Sequence, residues 1–93
     1  MREKVFDYTQ MAETLKVLGH PVRLRIISEL IGSDKTVSEL WHSVGLPQSL
    51  VSQHLSILRH SGIIKSVRKG RLVYYSVVSP IAVRILNLIQ KQK

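Results

Sequence analysis

The stretch Leu46-Pro-Gln-Ser-Leu-Val-Ser-Gln-His-Leu-Ser-Ile-Leu-Arg59 constrains this chain more than any other. Wound as a helix at about 100° per residue, it divides into two faces. Leu50, Val51, His54, Leu55, Ile57 and Leu58 fall on the face expected to turn inward. Gln48, Ser49, Ser52, Gln53, Ser56, Arg59 and His60 fall on the other, which carries no acid. A face without carboxylates approaches phosphate without repulsion, and Gln and Ser side chains reach base edges. The expectation is a helix that enters the major groove of DNA.

Charge points the same way. The 93 residues hold 14 Lys and Arg against 6 Asp and Glu, a net charge of +8. Such an excess attracts a polyanion and gains by counterion release. On charge alone, anionic membrane and structured RNA compete with DNA for that role. A chain of this length is expected to form one domain over residues 1–93, with a core small enough that dimerisation would help it. There is no cysteine, which excludes disulfides, thiolate metal sites and thiol redox chemistry within one chain. Met1-Arg-Glu-Lys-Val-Phe-Asp7 lacks the apolar centre of a signal peptide, and no apolar run approaches the roughly 18 residues of a membrane span. The expected location is cytoplasmic, without membrane contact.

Apolar spacing predicts a first helix from about Tyr8 to Leu18, with Tyr8, Met11, Leu15 and Leu18 on one stripe and Gly19 as its stop. Pro21 suits the first position of a second helix carrying Val22, Ile26, Ile27, Leu30 and Ile31 to near Gly32. Ser33-Asp34-Lys35 reads as a loop. Thr36-Val-Ser-Glu39 is a capping box, opening a short helix with Val37, Leu40, Trp41 and Val44 inward. Gly45 permits a left-handed turn, and Pro47 begins the two-faced helix, expected over residues 47–60. A short helix, a Gly turn and a polar-faced helix make a helix-turn-helix.

Past Gly62 the period changes. Ile63 to Arg68 and Arg71 to Val77 are rich in β-branched and aromatic residues, and Lys69-Gly70 reads as the turn of a hairpin. The resulting wing, residues 63–77, gathers Lys65, Arg68, Lys69 and Arg71 around its tip. Ser79-Pro80 opens a last helix to about Gln90, in which Ile81, Ala82, Val83, Ile85, Leu86, Leu88 and Ile89 wrap almost all the way round. A helix that apolar needs cover on more than one side. The fold class is therefore mainly α with a small β-hairpin, a winged helix-turn-helix in the order α-α-α-α-β-β-α. Tyr8, Met11, Leu15, Ile81, Ile85, Leu86 and Ile89 are expected to form a dimer seam.

Leu18-Gly-His-Pro-Val-Arg-Leu-Arg25, Val51-Ser-Gln-His-Leu-Ser-Ile-Leu-Arg59, Gly62-Ile-Ile64 and Gly70-Arg-Leu-Val-Tyr-Tyr-Ser76 together resemble the ArsR/SmtB family of bacterial winged-helix repressors. The resemblance covers nearly the whole chain. It implies a homodimer that binds an inverted repeat near its own promoter and blocks transcription. Metal-sensing members carry a Cys-x-Cys pair in the third helix, where this chain has Glu39-Leu-Trp-His-Ser43. Others bind zinc through Asp, His and Glu on the last helix, where Ser79 to Lys93 holds none of the three. Pro47 stands where the family often has a capping Ser, which removes a hydroxyl.

Within this frame Gln48 and Gln53 are candidates for adenine, whose N6 amino group donates to the amide oxygen while its N7 accepts from the amide N–H. Ser49, Ser52 and Ser56 suit phosphates or bases at shorter reach, and Arg59 and His60 suit backbone. Arg68, Lys69 and Arg71 suit phosphate or the minor groove. His54 is expected to be a core histidine hydrogen-bonded to backbone, and Trp41 a core residue. The four histidines have no metal-ligand spacing, and the six acids are scattered, so no catalytic triad converges and no enzyme is expected. The residues imply no cofactor, no metal and no particular inducer. Two rival readings use the same features: a winged-helix module that docks a protein partner, and a non-specific nucleoid or RNA binder driven by charge.

Overall fold

The computed structural model describes residues 7–91. In chain order it forms α1 (Tyr8–Leu18), α2 (Pro21–Gly32), β1 (Lys35–Thr36), α3 (Val37–Val44), α4 (Gln48–His60), β2 (Ile64–Lys69), β3 (Leu72–Val77) and α5 (Pro80–Gln90). The helix starts follow from local chemistry. Asp7 accepts from the Gln10 N–H, and Ser79 accepts from the Ala82 N–H. At α2 the cap is a histidine: His20 Nδ1 accepts from the Val22 N–H at 3.1 Å, just ahead of Pro21. Thr36 and Glu39 close the expected capping box, with Thr36 N–H to Glu39 Oε1 at 2.9 Å and Glu39 N–H to Thr36 Oγ1 at 3.2 Å.

Between α3 and α4 the chain must reverse within a few residues. Gly45 does this at φ 78°, and its N–H bonds to the Trp41 carbonyl at 3.0 Å. Leu46 then packs against the core, and α4 begins after Pro47.

One apolar cluster draws on every helix. Val17 and Leu18 of α1, Ile26, Ile27 and Leu30 of α2, Leu40 of α3, Val51, Leu55 and Leu58 of α4, and Ala82 and Leu86 of α5 are all buried in it. Ile63 and Ile64 bring in the root of the wing. Four positions depart from the sequence reading. Trp41 is half-buried at the margin, its ring stacked 4.9 Å from that of His42, because α3 turns Leu40 into the core and Trp41 lies about 100° round the helix from it. Leu50 and Ile57 are 41% and 38% exposed. They lie about 100–130° round α4 from the mean direction of Val51, Leu55 and Leu58, at the edge of the inner face rather than on it. Leu86 packs inside this chain's own core, with only 4% of its surface exposed, and so presents nothing to a second subunit.

The sheet has three antiparallel strands in the order β1-β3-β2. The strand β1 falls partly where a loop was expected: Lys35 pairs with Tyr75, and Thr36 with Tyr74. The hairpin turn is displaced by one residue from the expected Lys69-Gly70. Lys69 pairs with Leu72, so Gly70 and Arg71 make the turn. Gly70 takes the first central position at φ 66°, the sign pattern of a type II′ turn, whose twist matches the flanking strands. Of the two wing tyrosines, Tyr75 packs against the core.

Candidate nucleic-acid interface

The core anchors α4 along Val51, Leu55 and Leu58. That fixes what its other side presents. Gln48, Ser49, Ser52, Gln53 and Arg59 are exposed, while Ser56 is partly covered. None of these side chains is an acid, so the exposed face is neutral to basic from end to end. His60 is also exposed but turns back on its own helix, its Nδ1 lying 2.8 Å from the Ser56 carbonyl. It stands at the opposite end of α4 from Gln48, about 18 Å away along the axis. There it lines a shallow hollow with Gln10, Glu13 and Thr14 of α1.

The first turn of α4 has no side-chain cap, since Pro47 offers none. The Leu50 and Val51 N–H groups both bond to the Pro47 carbonyl, at 3.0 and 3.2 Å. The N–H groups of this turn carry the positive end of the helix dipole.

His54 lies one turn beyond Leu50, toward α2. It is half-buried, and the group it meets is a side chain rather than the expected backbone: Arg23 Nε donates to His54 Nδ1 at 3.2 Å. Arg23 also reaches the Val17 carbonyl at 3.3 Å. The His20 ring packs 4.5 Å from the His54 ring at 53°. Both imidazoles accept through Nδ1. Burial pushes His54 below the ordinary histidine range, and the neighbouring His20 and Arg23 push in the same direction. Among the described residues no group of three metal-ligating side chains converges.

On the wing, Arg68, Lys69 and Arg71 are exposed around the Gly70-Arg71 turn. Lys69 Nζ lies 5.4 Å from the centre of the Tyr74 ring, a cation–π contact that steadies it. Lys65 pairs with Ser76, about 13 Å back from Lys69, and so belongs to the root rather than the tip.

The helices α1 and α5 share a shallow apolar groove lined by Met11, Leu15, Ile81 and Ile85. Tyr8, Met11, Leu15, Ile81, Leu88 and Ile89 are exposed, and Ile85 is half-buried. Leu88 joins Ile81 and Ile85 on one stripe, whereas Leu86 sits about 140° round the helix from Ile81. The all-round apolar pattern of α5 hid that choice from the sequence. Leu50 was likewise missed, although its angle at the edge of the inner face was a signal that could have found it.

A capped short helix, a left-handed glycine, an acid-free second helix and a basic antiparallel hairpin define a winged helix-turn-helix protein of the kind that regulates transcription by binding DNA. Residues 20–66 match the family model described as bacterial regulatory protein, arsR family. The chain is 39% identical over 85 residues to the HTH-type transcriptional regulator Rv0081 of Mycobacterium tuberculosis, covering 90% of this chain and 75% of that protein. It is 40% identical over 83 residues to the transcriptional repressor PagR of Bacillus anthracis, covering 85% and 83%. The crystal structure of the transcriptional repressor BigR from Xylella fastidiosa superposes with a TM-score of 0.85 at 32% identity, covering 90% of this chain and 86% of that one. The chain belongs to the arsR family of bacterial regulatory proteins. That family consists of transcriptional regulators and not enzymes. No described helix is long and apolar enough to cross a membrane.

Proposed function

We propose that this protein is a homodimeric, autoregulatory repressor that reads a near-palindromic operator without metal input. The observation that carries the reading is the exposed face of α4, where Gln48, Ser49, Ser52, Gln53 and Arg59 stand clear of the core with no carboxylate among them. In a dimer the two α4 helices enter successive major grooves about one helical turn apart, so the operator mirrors the protein's two-fold axis. Gln48 and Gln53 read base edges, and Ser49, Ser52, Ser56 and Arg59 hold backbone or bases at the flank. His60 is at most a backbone contact at the far end of the helix. Arg68, Lys69 and Arg71 bring the wing onto phosphate.

The dimer seam lies on α1 and α5, through Tyr8, Met11, Leu15, Ile81, Ile85, Leu88 and Ile89. Six apolar side chains exposed on two adjacent helices support it. The absence of metal input is supported by Trp41, His42 and Ser43 at the stretch where metal-sensing relatives carry thiolates.

The test is a fluorescence-anisotropy titration against DNA from upstream of the protein's own gene and against a shuffled copy, each at two salt concentrations. A preference of about a hundredfold, roughly 2.7 kcal/mol, is expected. Equal affinities with a steep salt slope would instead indicate non-specific binding, and feeble binding to both would indicate a protein-docking module.

A further inference from the structure

Leu50 sits in the first turn of α4, the end of a recognition helix that comes nearest the bases. It is 41% exposed, and so offers alkyl surface to solvent at that end of the helix. Ser49 precedes it, and Gln53 follows three residues later on the same side of the helix. The exposed stripe Leu50, Gln53, Ile57 thus sets an amide between two alkyl groups at i, i+3 and i+7 spacing.

The major groove offers one apolar group, the 5-methyl of thymine. When exposed alkyl surface meets that methyl, both surfaces leave water. Gln53 suits adenine, and the rise between residues 50 and 53 is about 4.5 Å, little more than one base-pair step. From this, and resting on the operator-reading role proposed above, we infer that Leu50 is a specificity residue that packs on the 5-methyl of a thymine within one or two base pairs of the adenine read by Gln53. The pairing of an alkyl reader with an amide reader tunes each half-site toward A·T pairs one or two steps apart.

Exchanging thymine for uracil tests the contact, because it removes the methyl and leaves base pairing intact. The best duplex is selected from a random library with the wild-type dimer, and each thymine is then replaced singly by uracil. Wild type is expected to bind about fourfold more weakly at one thymine per half-site, the transfer value of one methyl group. Leu50→Ala is expected to bind the thymine and uracil duplexes alike, and Leu50→Met to keep the discrimination. If wild type tolerates uracil everywhere, or if Leu50→Ala loses as much as wild type at the same thymine, Leu50 reads no methyl. A selection that enriches no sequence would overturn operator reading itself, and this contact with it. A loss of discrimination confined to Leu50 leaves operator reading standing.

Discussion

Arg23 Nε donates to His54 Nδ1 at 3.2 Å across 31 residues of sequence, tying the first half of α2 to the middle of the helix that carries the base-reading candidates. The bond needs a neutral imidazole. Protonating His54 turns its acceptor into a donor and sets a second positive charge against the guanidinium. His54 is held below its ordinary value of 6.5 in the folded chain. Between that lowered value and 6.5 the unfolded chain binds more protons, so the contribution to stability is full above pH 6.5 and is lost as pH falls through the folded value. Urea unfolding followed from about pH 7.5 down to about pH 5 should show a falling midpoint, and His54→Gln should fall less steeply. Parallel slopes in the two proteins would show that His54 takes no part.

Gln53→Ala should weaken binding to the operator by about 1–3 kcal/mol and leave shuffled DNA almost unaffected. The measurement is a pair of anisotropy titrations at one salt concentration. An equal loss on both duplexes would assign Gln53 to backbone.

Arg68→Ala with Arg71→Ala should lower affinity on every sequence. It should flatten the dependence of log K on log salt by about one for each phosphate contact removed. Lys69 is the weaker choice for this test, since its ammonium already rests near the Tyr74 ring. An unchanged slope would take the wing tip off the DNA.

Leu88→Glu should yield a folded monomer by sedimentation, because it places a charge on a stripe that is exposed in one chain and that the proposed dimer would cover. Leu86→Ala should act differently, costing about 2–5 kcal/mol of stability through a cavity in the core. If Leu88→Glu remains a stable dimer, the seam lies on another face.

Thr36→Val should cost about 1 kcal/mol or a little more, since it removes the hydroxyl that caps α3. Thermal melting reads this directly, and an unchanged midpoint would mean that Glu39 alone secures the helix start.

Local chemistry made most of the helices legible. The Thr36–Glu39 capping box, Pro21, Gly45 and Ser79-Pro80 each act within a few residues, so the start of α3 and the limits of α1 and α5 could be read from spacing alone. What escaped depends on distant partners. Lys35 and Thr36 form β1 only because Tyr74 and Tyr75 lie beside them, and two residues show no alternation of their own. The wing turn slipped by one because Gly70 serves equally well at either central position of a two-residue turn, and only the pairing of Lys69 with Leu72 decides. His54 was legible as an inward histidine, but its partner on α2 was not. On α5 an apolar residue on every side left no way to separate Leu86 from Leu88 before the core had claimed one of them.

Thr36 belongs to two structures at once: it pairs with Tyr74 at the sheet edge, and its hydroxyl starts α3. The wing is thereby stitched to the first half of the helix-turn-helix at a point outside its own hairpin. A hairpin hung only from its root would swing to suit whatever duplex it met. With this stitch, wing and reading helix behave as the two jaws of one caliper, set at a fixed gap by the fold. In the proposed complex, a straight duplex that does not match the gap would have to bend, and the ease with which different sequences bend would enter what the protein discriminates.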